Sequence, residues 1–182
     1  MTAEEIIAFV RKNVEPLPAN EFYGERYRIA ATLNDGTALP CVVVESADKT
    51  IDLAIRRFDE ARNSKRQGLT YRDIVRSFVT GGNTVADYDL KELSLSPHAI
   101  PLQRLREVGG ETSMAWTGFY ALMKDGKEYQ FGTTFLLEFF EMPDGYTATD
   151  IQKITPAVRG DPPRQARTYR ERPFFTCYVQ GL

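Results

Sequence analysis

The chain opens on a helical period and then changes to a strand period. Ile6, Ile7, Phe9, Val10 and Val14 fall on one side of a helix that stops before Pro16, and Thr2 with Glu5 has capping-box spacing. From Phe22 to Glu45 the period is two. Tyr27, Ile29, Ala31 and Leu33 alternate with Arg26, Arg28, Ala30 and Thr32, and Asn34-Asp35-Gly36 turns the chain back into Leu39 to Val44. This predicts a hairpin with one buried face. Pro40 has no N–H for a ladder, so the second strand is expected to be an edge there or to begin just after it.

Helical spacing returns at Ile51, Ala54, Ile55, Phe58 and Ala61, with Ser46 or Asp48 as the cap and Arg56 and Arg57 outside. Tyr71, Ile74, Val75, Phe78 and Val79 predict a second, shorter helix closed by Gly81-Gly82. The stretch from Asn83 to Gly110 is broken by Pro97 and Pro101 and follows no period. The strongest local signal comes next: Met114 to Met123 and Lys127 to Glu141 flank Lys124-Asp125-Gly126, with Tyr129, Phe131, Phe135 and Phe139 on one face of the return strand. Thr147 to Lys153 predicts a brief helix and Phe174 to Val179 a final strand.

Hairpins and helices alternate in pairs rather than as βαβ units. The expected fold class is therefore α+β, an antiparallel sheet of at least five strands in hairpins, covered by three to four helices, in a single domain over residues 1–182. Ala31 to Gly36 and Ala121 to Gly126 are loosely alike, but turn chemistry accounts for that and the sequences between do not repeat, so no duplication is inferred.

Composition leaves this picture in place: 42% hydrophobic and 26% charged residues are ordinary for a folded domain. The N-terminus lacks a basic segment followed by an apolar run, and no apolar stretch is long enough to span a bilayer, so a cytoplasmic protein with no membrane partner is expected. Cys41 and Cys177 lie in apolar strands without C-x-x-C spacing and read as buried thiols. With one histidine and two such cysteines, no metal site and no cofactor are expected.

Charge changes the picture more. The net charge is −2, yet residues 56–76 hold seven Lys/Arg against three Asp/Glu, and 159–182 hold five against two. Arg56, Arg57, Arg66 and Arg72 in the first segment and Arg164, Arg167 and Arg170 in the second are the candidate binding residues, suited to phosphate or carboxylate oxygens. The acidic excess elsewhere offers them partners within the chain. For catalysis the candidates are His98, which titrates near neutrality, and the acids Asp87 and Asp89. No nucleophile elbow and no phosphate-binding glycine loop accompanies them.

Recognisable catalytic apparatus is missing, which favours a non-catalytic protein-interaction or assembly module, a homodimer through the aromatic hairpin or the edge at Pro40. Two alternatives stand beside it. One is a small-molecule binder or enzyme with a cavity under the aromatic hairpin. The other is a nucleic-acid or phosphate binder using the Arg-rich segments.

Overall fold

A computed structural model describes residues 1–20, 24–63, 83–134, 136–160 and 164–182. They form two units, residues 1–94 with 175–182 and residues 95–174. The helix expected over 70–79 lies outside the described residues.

The first unit begins with α1 (Ala3–Asn13), whose capping box closes as its residues dictate: the Glu5 N–H donates to Thr2 Oγ1 at 3.3 Å and the Thr2 N–H to Glu5 Oε2 at 2.8 Å. Then come β1 (Leu17–Asn20), β2 (Gly24–Leu33), β3 (Ala38–Ser46), α2 (Ala47–Asn63), β4 (Leu90–Leu95) and, at the far end of the chain, β9 (Phe175–Val179). The sheet order is β1-β2-β3-β9, with β4 also on β2. Its core joins Ile6 and Val10 of α1 to Tyr27, Ile29, Val42, Val44, Leu90 and Cys177. Burying these side chains, at about 1.5–3 kcal/mol for each large one, is what holds α1 on the sheet.

The second unit holds α3 (Leu102–Leu105), β5 (Thr117–Met123), β6 (Glu128–Thr133), β7 (Ile151–Pro156) and β8 (Thr168–Arg170), with sheet order β7-β5-β6-β8. Phe119 stacks on Phe131 with centroids 5.3 Å apart, Phe140 meets both edge-on, and Tyr169 follows Phe131 at 5.5 Å. These rings are buried, so the aromatic side of the hairpin is this unit's core.

Both sheets are mixed, where antiparallel hairpins in one sheet were expected. β9 runs parallel to β3, and β8 parallel to β6. Alternation fixes which face a strand buries and is blind to its direction; both strands pair with partners far back in the chain, β9 with β3 and β8 with β6, which leaves either sense open. Among the described residues there are nine strands and three helices. β3 lies between β2 and β9, but its ladder with β9 runs only from Val42 to Ser46, so Pro40 stands on the part of the strand that β9 does not reach, as the missing N–H led one to expect. Pro40 sits where the β2–β3 register slips between Ile29 and Ala31, a bulge that tolerates a missing N–H. Thr147 to Lys153 is not a helix: a single 3-10 turn, Ala148–Asp150, runs straight into β7. The return strand of the second hairpin ends at Thr133 rather than Glu141.

The two units share a plan that turn chemistry alone does not explain. In each, a hairpin closes on Asp-Gly, the last carbonyl of a 3-10 turn accepts from an N–H of the hairpin, a strand buried at its first and fourth positions follows, and a parallel strand completes the sheet. The Asn34 N–H donates to Asp89 O and the Lys124 N–H to Asp150 O, both at 2.9 Å. The row Ile29–Val42–Phe175 has its counterpart in Phe119–Phe131–Tyr169. The second unit is thus inserted whole between β4 and β9 of the first.

Candidate functional site

The residues chosen for chemistry turn out to hold backbone. His98, in the second unit, places Nδ1 3.0 Å from the Phe140 carbonyl, which only accepts, so Nδ1 carries the proton and donates. Nε2 then accepts from Arg172 Nη1 at 3.4 Å. Burial, and after it the Arg172 charge, lower the His98 pKa and keep the ring neutral, as this arrangement requires. The His98 carbonyl accepts from the Phe140 N–H and Pro97 from the Ala148 N–H, so the Pro97-His98 loop is a clamp on two neighbouring segments.

Asp87 and Asp89 belong to the first unit, in the 3-10 turn Asp87–Asp89 that receives the hairpin. Asp87 Oδ1 accepts from the Tyr88 N–H at 2.8 Å, and the Asn34 amide donates to Tyr88 O at 3.0 Å. Among the described residues no group of three or more His, Cys, Asp or Glu gathers as metal ligands would. Cys177 faces the core of the first unit, and burial pushes its thiol up to about 12. Cys41 alternates with Val42 and faces the other side of the same sheet.

The arginines divide by segment. Arg56 and Arg57 are on the exposed side of α2, while Arg66 and Arg72 lie outside the described residues. Arg164, Arg167 and Arg170 are all drawn onto aromatic rings of the second unit. The Arg164 guanidinium lies 4.2 Å from the Tyr120 ring centre, Arg167 4.5 Å from Tyr169 and Arg170 4.9 Å from Trp116. Two of them also have acids within ion-pair reach, Glu128 at 3.6 Å from Arg164 and Glu141 at 3.8 Å from Arg167. Arg170 has none among the described residues.

Strand alternation explains where these groups meet. Phe119, Ala121 and Met123 are fully buried in the aromatic core, which turns Gly118, Tyr120 and Leu122 to the opposite, outer face. Gly118 pairs with Gly132, and the two leave a trough that the Trp116 ring fills. A Cβ on Gly132 would lie 2.1 Å from Trp116 Cζ2. The turn Ser113 to Trp116 aims the ring: Ala115 takes the left-handed conformation at φ 54°, its N–H held by the Glu111 carboxylate, and Thr112 Oγ1 donates to Trp116 O. Arg170, beside Gly132 in the ladder, then covers Trp116. Gln165 extends the sheet with its side-chain amide, accepting from the Gln130 N–H and donating to Glu128 O, which fixes the segment that carries Arg164.

Toward the hairpin turn the same face ends in an open groove of about 530 Å³, lined by Arg104, Glu107, Leu122, Gln152 and Lys153. Glu107 is committed there. One oxygen accepts from Arg104 at 2.6 Å and the other from the Ile154 N–H at 2.7 Å, bonds that lower its pKa. The cations Arg104 and Lys153 remain at the rim.

No family model, no curated protein and no solved structure matches this chain. Sequence reasoning missed Trp116, Gly118, Gly132, Arg104 and Lys153 as site residues. The glycine pair carried a signal, since folding the hairpin about Asp125 sets 118 opposite 132.

Proposed function

We propose that the chain is a non-catalytic protein-interaction module whose contact surface is the outer face of the β7-β5-β6-β8 sheet. The observation that carries this reading is the pair of guanidinium groups laid on Tyr120 and Trp116 on one face. Trp, Tyr and Arg are the residues that dominate protein–protein binding energy, because each brings large contact area with little ordering cost. Stacking removes much of the Arg entropy in advance, and a guanidinium is suited to bidentate contact with a carboxylate. The His98 ring and the Asp87 carboxylate each hold a backbone group, and Asp89 meets the hairpin through its main-chain carbonyl, which supports a binding role over a catalytic one.

A nucleic-acid role is less well supported. Non-specific strand binders offer bare rings for bases to stack on, and here the two rings of this face are already under guanidinium groups. Panning a displayed random-peptide library on the purified chain and on the R164E/R170E variant tests the reading. Peptides enriched on the wild type and lost on the variant are expected. No enrichment, or equal enrichment on a variant that melts normally, refutes it.

A further inference from the structure

Three cations stand on successive rows of the outer face of the second unit. Gly118 pairs with Gly132, which pairs with Arg170; Tyr120 carries Arg164; Leu122 pairs directly with Lys153. Rows two residues apart on a strand are separated by about 7 Å, so the ladder from Gly118 to Leu122 spans about 13 Å. An extended peptide repeats its same-face side chains at that same interval.

Resting on the interaction reading above, we infer that this face takes an extended protein segment with carboxylates at alternate positions. Its apolar side chain at one end enters the groove floored by Leu122 between Arg104 and Lys153. Charge complementarity selects the occupant. Arg170 is covered by no carboxylate among the described residues, and the Arg164–Glu128 pair at 3.6 Å is solvent-exposed and so exchanges readily for a carboxylate from a partner. The apolar end is set by Leu122, among the described residues the one aliphatic side chain lining the groove. A segment with acids at i, i+2 and i+4 that crosses the sheet obliquely, from Arg170 on β8 toward Lys153 on β7, offers one acid to each row; moving the same acids into a block sends alternate ones to the wrong face.

The test uses two synthetic peptides of equal composition, acetyl-Asp-Thr-Asp-Thr-Asp-Thr-Leu-amide and acetyl-Asp-Asp-Asp-Thr-Thr-Thr-Leu-amide, and a hexathymidylate strand. Each is titrated into the protein at low salt while the fluorescence of Trp116, the chain's one tryptophan, is recorded. The alternating peptide is expected to bind at least about fivefold tighter than the blocked one, and R170Q or R164Q to weaken it about tenfold. Binding should also fall as salt rises.

Equal affinity for the two peptides, or no binding of either, overturns the inference. Tighter binding of the oligonucleotide overturns it too and assigns the face to phosphates. If R170Q does not fold, R164Q with the wild-type peptide comparison decides. Should the library yield charge-sensitive peptides without alternating acids, the interaction reading survives and this inference does not.

Discussion

Replacing Gly132 with Ala tests the geometry on which the surface depends. The new methyl would sit 2.1, 2.6 and 2.9 Å from three atoms of the Trp116 ring, closer than carbon atoms ever approach, so the ring must lift off the sheet. Forcing a methyl into a filled site costs about 1–3 kcal/mol. The loss of a strand glycine returns up to about 1 kcal/mol through the unfolded chain. A net destabilisation of about 1–2 kcal/mol follows, roughly 2–8 °C in melting temperature for a chain of this size. Gly118→Ala is the control. Its methyl meets Ala157 Cβ at 3.3 Å, a contact the neighbour can relieve by a few tenths of an ångström. Because Trp116 is the only tryptophan, its emission reports the displaced ring directly. Gly132→Ala should shift that emission to the red and Gly118→Ala much less. Unchanged emission and unchanged melting in Gly132→Ala would show that Trp116 does not lie in the glycine trough.

Three further outcomes follow from the same geometry. His98 has a lowered pKa in the folded chain, so its contribution to stability is complete above its ordinary value of 6.5 and declines as pH falls toward the folded pKa. Melting temperature plotted against pH should therefore rise between about 5.5 and 7 in the wild type and be flatter there in His98→Asn, and parallel curves would contradict the assignment. Glu107→Ala uncovers the Ile154 N–H on the outer edge of β7, costs about 1 kcal/mol and opens that edge to strand pairing, whereas Glu107→Gln keeps an acceptor; sedimentation velocity should find self-association in the first variant only. Cys41 and Cys177 are buried on opposite faces of one sheet, so a thiol reagent should modify neither in the folded chain and both in denaturant, and a disulfide found by mass would refute the register.

Local signals in the sequence were read correctly where one element contains the whole argument. The Thr2–Glu5 box, the 3.6 period of α1 and both Asp-Gly hairpin turns appear in the structure, while the return strand of the second hairpin stops at Thr133, which leaves Phe139 beyond it and Phe135 outside the described residues. What pattern does not encode is a partner far away in the chain. β8 and β9 give the same alternation whether they run parallel or antiparallel, and Arg170 meets Trp116 only because the ladder sets it beside Gly132. The groove joins Arg104, from the stretch with no period, to Lys153, from a segment that reads as a helix. The repeated plan of the two units is hidden in the sequence because the residues between the turns differ. Its equivalences are backbone pairings, and the bulge at Pro40 displaces one copy by a residue, so aligning side chains misses them. The division after Ser94 falls within the stretch from Asn83 to Gly110 that follows no period.

The nested order of the strands has a consequence for synthesis on the ribosome. β3 leaves the exit tunnel with one long side open, and the strand that closes it, β9, begins about 130 residues later. At about 5–20 residues per second that side stays open for roughly 6 to 26 seconds. Meanwhile the inserted half receives its last strand, β8, just before β9 emerges. The nascent chain thus finishes its inner half first and carries an unclosed row of Val42, Val43 and Val44 throughout, which makes this the stage at which a holding chaperone would have most to protect.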